Sequence, residues 1–335
     1  METVTHLLIS LALYRAGLKR LTRWALPILL VSGVVASVDT VSTWGSVETY
    51  LNWHYTATHS LLGSTVLAVA VAVVFWLVGR SRQGEPVRLG GALVASLAGT
   101  AAHVGLDVAG AQGVQLLWPW GGKRYALDIL DYIDPWIVGI IALGLLLPVL
   151  FRLVTEEIGA KPAARGGQRG AIVALCLVLV YVGARYVLHQ RAVTVLDSRV
   201  YRGVPPNRVG AFPSAVSPLT WYGVVETDFT MEQQEFSVSR AALFDPNRSQ
   251  TIFKPDPSPA LEAAQRTPAV RRMLEQARFP SAMVVRSRDG YRVTVEDLRH
   301  SSTLIPRRAF YAEVEIGEDN QVLSEELKWG SPRKR

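Results

Sequence analysis

Thiols are almost absent. Cys176 is the only cysteine in the 335 residues, and it falls in the middle of an apolar run, which excludes an intramolecular disulfide and every cysteine-rich metal motif. Charge is missing from long stretches as well: Ser60–Gly79 carries none, and Leu89–Val108 is interrupted only by His103 and Asp107. The opening Met1-Glu2-Thr3-Val4-Thr5-His6 lacks the basic start and small-residue cleavage site of a secretory signal, so removal of this segment is not expected. Beyond residue 190 there is no nucleophile motif, phosphate loop or metal-ligand spacing.

What is present divides the chain in two. Residues 4–188 are dominated by Leu, Val, Ala and Gly, whereas residues 190–335 carry charge at ordinary water-soluble density. Ser60–Gly79 and Leu89–Val108 are long enough to cross a hydrocarbon core of about 30 Å unaided. Pro135–Phe151 and Gly170–Leu188 also read as spans, with Arg185 expected to snorkel from a helix end. Thr5–Ala16 and Ala25–Val38 are shorter, and read either as crossing with little tilt or as re-entrant pieces. The expectation is an all-α polytopic membrane bundle of about six hydrophobic helices over residues 1–188, followed by a small α+β extracytoplasmic domain over 189–335.

Lys and Arg gather in three connecting segments: Arg15, Lys19, Arg20 and Arg23; Arg80, Arg82 and Arg88; and Arg152, Lys161, Arg165 and Arg169. The positive-inside rule makes these cytoplasmic, which puts the loops 39–59 and 109–134 and the C-terminal region outside. Lys123 and Arg124 oppose this, but two charges do not outweigh three clusters. The net charge of +7 is therefore an orientation signal and not a nucleic-acid footprint.

Four of the six histidines, His6, His54, His59 and His103, lie in the hydrophobic half, as do Asp39 and Asp107. Ionisable groups at membrane depth are costly, and they mark a pathway or site more often than not. Under the topology above, Asp39, His54 and His59 fall in or beside the first outer loop, and Asp107 closes the outer end of its span. His103 and Asp107 are four apart, so one helix face presents an imidazole and a carboxylate together. Imidazole and carboxylate donors suit Zn²⁺, then Mn²⁺ or Fe²⁺, and the missing thiolates argue against a structural zinc ribbon. Six such residues exceed the need of one tetrahedral ion, and a two-metal site acting on a phosphoester would use the surplus. Taken singly, each histidine reads equally well as a hydrogen-bonded packing residue. Their convergence on one membrane face separates the readings.

These residues also carry a resemblance. Val4-Thr5-His6-Leu7-Leu8 with Leu13-Tyr14-Arg15-Ala16-Gly17-Leu18 resembles the opening of the membrane-bound metal-dependent hydrolase family of the YdjM type. Ser37-Val38-Asp39, His54-Tyr55-Thr56-Ala57-Thr58-His59-Ser60 and His103-Val104-Gly105-Leu106-Asp107 are similar to that family's D-x-D, H-R-G-x-T-H-S and H-x-x-x-D blocks, and Ile133-Asp134-Pro135-Trp136 resembles a further one. The likeness covers about residues 3–150. It implies a helical core related to zinc phospholipase C and P1 nuclease, and one to three zinc ions used in hydrolysis. It also implies His6, Asp39, His54, His59, His103 and Asp107 as ligands, with Asp134 as an additional candidate. Ser37 stands where the family has its first Asp, and Tyr55-Thr56 where it has Arg-Gly, so one carboxylate and one phosphate-contacting guanidinium are missing here.

Other features have plainer readings. Leu116-Leu117-Trp118-Pro119-Trp120 and Trp136 read as interfacial anchors before a headgroup site. Asp128, Asp131 and Asp134 read mostly as a solvated face of an outer helix. His189 and His300 stand alone and take no role. In the C-terminal region Arg202–Pro218 reads as a connector. Trp221–Asp228 pairs with Glu235–Arg240, and Ala282–Ser287 with Tyr291–Val295 across Asp289-Gly290. Thr267-Pro268 opens a helix to Ala277, and Phe310–Ile316 is a last strand before an exposed charged tail.

The reading that follows is an integral membrane metal-dependent hydrolase, acting on a phosphoester or lipid-linked substrate at the outer face. Asp39 and Asp107 are its candidates for orienting the attacking water. The rival is a non-catalytic metal-binding scaffold or transport component, which Ser37 favours. The repeated broken helices of a transporter are not evident.

Overall fold

In a computed structural model the described residues are 1–80, 86–158, 166–239, 244–300 and 309–332. Arg82, Lys161, Arg165 and Arg240, used above, lie outside them. In chain order the first helices are α1 (Thr3–Ala16), α2 (Ala25–Ser32), α3 (Val47–Trp53), α4 (Leu61–Arg80), α5 (Leu89–Ala109), α6 (Pro135–Glu157) and α7 (Gly166–Asp197). The chain divides into two compact units, one of residues 1–40 and 55–188, the other of residues 41–54 and 189–335.

The first unit is helical, with five stretches long and apolar enough to cross a bilayer: Ala25–Trp44, Leu61–Arg80, Leu89–Ala109, Pro135–Glu157 and Gly166–Asp197. The shorter Ala25–Val38 run gains its length because α2 passes through a turn into a 3-10 segment, Val35–Trp44. α1 is too short to be counted with them. Small residues let the helices approach closely, as they must where apolar surface gains nothing by leaving lipid. A Cβ on Gly33 would lie 2.0 Å from Ser10 Oγ, and one on Gly170 2.5 Å from both Gly144 O and Pro148 Cγ. Ile28, Leu29, Val71, Ala72, Ala92 and Ala95 fill one core cluster. The outward face of α6, including Leu143, Leu146, Leu150 and Phe151, is apolar and exposed, as a lipid-facing surface must be.

Two expectations about this unit are corrected. Arg185 does not snorkel: its side chain is buried and its Nε donates to Ile129 O at 2.8 Å. An internal carbonyl takes the Nε–H where water cannot. Residues 127–134 form no helix, and Asp128, Asp131 and Asp134 are buried and not solvated. This segment is held by backbone pairing to the end of α5, Ile129 N and Leu130 N both donating to Ala109 O at 3.0 Å.

The second unit contains two antiparallel four-stranded sheets. The first orders β1 (Arg208–Pro213), β2 (Thr220–Glu226), β3 (Thr230–Ser237) and β4 (Gln250–Phe253) in sequence. Helices α8 (Pro259–Gln265) and α9 (Pro268–Gln276) follow, then β5 (Pro280–Ser287), β6 (Gly290–Asp297), β7 (Phe310–Gly317) and β8 (Val322–Trp329). Thr267 caps α9, its Oγ1 accepting from Val270 N, with Pro268 in the first turn. Arg288 and Asp289 form the turn of a tight hairpin, one residue earlier than the expected Asp289-Gly290, because Gly290, whose φ of +142° suits glycine, already pairs with Ser287. The core under the second sheet is built from Val270, Met273, Val293, Val295, Ala312 and Val314, with Val47 and Leu51 of α3 packed into it.

The connector expected over Arg202–Pro218 contains β1, and the expected charged tail contains β8. β8 is an edge strand with charged side chains, which blunts unwanted pairing and also disguises the strand in sequence. α7 continues past Leu188 to Asp197.

Candidate metal centre

Four elements of the first unit bring the polar residues together. α5 supplies His103 and Asp107 one turn apart, α1 supplies His6, the 3-10 segment after α2 supplies Asp39, and the turn Ala57–His59 supplies His59. All five side chains are buried.

His103 Nε2 lies 3.1 Å from Asp107 Oδ2, His59 Nε2 lies 3.2 Å from the same oxygen, and the two Nε2 atoms are 3.2 Å apart. A tetrahedral ion with bonds of about 2.0–2.1 Å holds neighbouring donors about 3.3 Å apart, so this triangle has the edge such an ion requires. The far nitrogens fix the tautomers. His103 Nδ1 donates to Gly33 O at 2.7 Å, and His59 Nδ1 donates to Asp39 Oδ2 at 3.0 Å. Both Nε2 atoms therefore turn lone pairs towards each other and towards a carboxylate. Three acceptors converging in a buried space repel unless a cation or proton sits among them.

His6 enters from the other side. One donor atom each from His6, His103 and Asp107 lie within 4.8 Å of one another. His6 Nε2 is 3.5 Å from Asp107 Oδ1, and among the described residues neither of its buried ring nitrogens has a hydrogen-bond partner. Its ring stacks on His103 with centroids 3.9 Å apart. Asp107 thus turns one oxygen to His59 and His103 and the other to His6, and the Met1 amino group contacts that second oxygen. An orphaned buried imidazole and a bifacial carboxylate are donors suited to Zn²⁺ or another borderline divalent ion.

The local backbone serves this arrangement. Tyr55 has φ +58°, a rare conformation for a bulky residue, and its N–H donates to Asp39 Oδ2 at 2.9 Å. Thr58 Oγ1 donates to the same oxygen at 3.0 Å and lies 3.0 Å from His59 Nδ1. Burial alone would hold the His59 imidazolium down, but hydrogen bonds to Asp107 and Asp39 outweigh it and raise its pKa. The pocket favours positive charge.

Two further sequence candidates make other contacts. His54 belongs to the second unit, where it caps α3 and stacks on Tyr50 with centroids 4.7 Å apart. Asp134 caps α6, accepting from Trp136 N and Ile137 N at 3.1 and 3.2 Å, and Tyr181 OH donates to both of its oxygens. Burial raises its pKa against these donors. The sequence reading did not find the supporting groups: Gly33 O, Tyr55 N–H, Thr58 and Tyr181. Thr58 alone carried a signal, as the residue before His59.

In comparisons with known proteins, residues 1–192 match the YdjM inner membrane protein family. No curated protein and no solved structure matches.

Proposed function

The chain belongs to the YdjM inner membrane protein family, and from that premise we propose that it is a metal-dependent hydrolase working inside the membrane bundle on a phosphoester, most naturally a lipid-linked one. The observation that carries the reading is the convergence of His59 Nε2, His103 Nε2 and Asp107 Oδ2 at 3.1–3.2 Å. These three side chains would hold the ion, with His6 beside them. Three protein ligands leave the fourth tetrahedral position to water or to His6; the first arrangement is that of catalytic zinc and the second that of a closed structural site.

Bound zinc supplies Lewis acidity at a phosphoryl oxygen and makes water easier to ionise near neutral pH. The chain's own contribution is placement. The α5 turn fixes Asp107 beside His103, and the oxygen of Asp107 facing His6 is held by the Met1 amino group. The bundle around them excludes bulk solvent, which strengthens each charge interaction. Trp118 and Trp120, both exposed, suit the headgroup level of a bilayer. With the basic clusters of the connecting loops cytoplasmic, the site and the C-terminal unit face the periplasm. The relation to zinc phospholipase C and P1 nuclease belongs to this same proposal.

Elemental analysis of detergent-purified protein, prepared free of affinity-tag metal, beside a His59→Ala, His103→Ala double variant tests it. Bound zinc lost in the variant, together with turnover of a phospholipid or chromogenic phosphoester, supports the hydrolase. Metal without turnover on any phosphoester supports the scaffold reading that Ser37 favours, and no metal in the wild type overturns both.

A further inference from the structure

Resting on the metal-binding part of that reading, we propose that Asp39 is a positioning residue that serves the ion through His59 and is not itself a ligand. The family pattern puts this aspartate among the ligands, but here its Oδ2 is committed to other groups. Asp39 Oδ2 lies 3.0 Å from His59 Nδ1, the ring nitrogen that does not face Asp107. That oxygen also accepts from Tyr55 N–H at 2.9 Å and Thr58 Oγ1 at 3.0 Å. Three donors on one carboxylate oxygen leave it no lone pair for an ion.

A carboxylate in this position does two things to a ligating histidine. It holds the proton on Nδ1, so that Nε2 carries the lone pair, and it makes that nitrogen more basic. His103 has the same support from a backbone carbonyl, Gly33 O at 2.7 Å, which cannot be removed by mutation. The two imidazoles are thus delivered with Nε2 forward by two different devices, only one of which is a side chain. The strained φ of +58° at Tyr55 fits this role, since it aims a backbone N–H at Asp39 and fixes the carboxylate that fixes His59.

The test measures Zn²⁺ affinity by competition with a chromogenic chelator, and the visible spectrum of the Co²⁺-loaded full-length protein. It is run on wild type, Asp39→Asn, Asp39→Ala, His59→Ala and the Asp39→Ala, His59→Ala pair. Loss of an outer-shell partner costs about 10–100-fold in metal affinity. Asp39→Ala is expected to fall in that range and Asp39→Asn, which still accepts from Nδ1, to lose less. Both are expected to keep the wild-type Co²⁺ bands, because the ligand set is unchanged. In the His59→Ala background Asp39→Ala is expected to add nothing. A further loss there, or an altered Co²⁺ spectrum in Asp39→Asn, would make Asp39 a ligand and overturn the proposal. So would wild-type affinity in Asp39→Ala. A wild type that binds neither ion overturns the metal reading itself and this proposal with it, an outcome distinct from the others. Asp39→Asn keeps the test decisive if Asp39→Ala does not fold.

Discussion

His59 Nε2 and His103 Nε2 face each other at 3.2 Å across the end of the bundle, each with its other ring nitrogen already committed to an oxygen. Two imidazole nitrogens and a carboxylate oxygen held this close in a buried space need positive charge among them, either a proton on His59 or a metal ion, and the two are told apart by chelation. An ion that binds the folded state alone stabilises it by RT ln(1 + [L]/Kd), about 2.7 kcal/mol at a hundredfold excess over Kd. Chelator is therefore expected to lower the melting temperature in detergent, and added zinc to restore it. The His59→Ala, His103→Ala variant is expected to melt at one temperature under both conditions. A melting curve that ignores chelator in the wild type would remove the ion from the account.

His6 separates stability from binding. Both of its ring nitrogens are buried without a hydrogen-bond partner among the described residues, and an unsatisfied buried polar group costs about 1–3 kcal/mol. His6→Phe keeps a ring to stack on His103 and removes the two polar atoms. The chelated variant is expected to melt at or above the wild-type temperature, whereas the rise on adding zinc is expected to shrink. If the chelated variant is much less stable, His6 is a packing residue and not a donor held ready.

Arg185 ties α7 to the loop that follows α5 through its hydrogen bond to Ile129 O. A hydrogen bond to a charged group contributes about 1.5–3 kcal/mol. Arg185→Ala is expected to lower the melting temperature with zinc stoichiometry retained, because the ligands sit on other elements. Parallel loss of metal and stability would mean that this loop also holds the ligand geometry.

The metal set was legible where one helix carries it and hidden where the fold assembles it. His103 and Asp107 follow from a spacing of four. Their partner His59 stands in a block whose family likeness names it, but the direction of its ring depends on Asp39 and Thr58 arriving together. Nothing local predicts that Gly33 O orients His103. Asp134 also carries a cap signal, an Asp before Pro at the head of an apolar run, and the fold uses it to cap α6. In the second unit, the hairpin at Asp289-Gly290 and the helix after Thr267 were written in turn and cap residues. β1 and β8 were not, because one follows a Pro- and Gly-punctuated stretch and the other is a charged edge.

The α6–α7 contact gives a test with its own control. Gly170 meets Gly144 O and Pro148 Cγ at 2.5 Å from the position of a Cβ, whereas a Cβ on Gly139 meets nothing within 4 Å. Gly170→Ala is expected to overpack the contact and lose about 1–3 kcal/mol. Gly139→Ala removes a glycine from a helix interior, a change worth up to about 1 kcal/mol in the favourable direction. Thermal melts of the two variants should move in opposite directions, and equal losses would show that α6 and α7 do not pack through these residues.

Glu226 in the first sheet fixes the sign of one pH dependence. Burial would raise its pKa, but hydrogen bonds from Lys254 Nζ at 2.8 Å and Arg208 Nη2 at 2.6 Å outweigh it, and the carboxyl is held below its ordinary 4.5. A carboxylate with a depressed folded pKa stabilises the fold in full above its unfolded value, and that contribution is lost as pH falls through the folded one. Glu226→Gln is expected to melt below wild type at pH 7, and the gap is expected to close progressively below about 4.5. The partners are partly exposed, so the gap at neutral pH is expected to be modest and to narrow in high salt, where such pairs are screened. A gap that stays constant from pH 7 to pH 3 would assign the loss to packing of the longer side chains along β1 and β2 and not to charge.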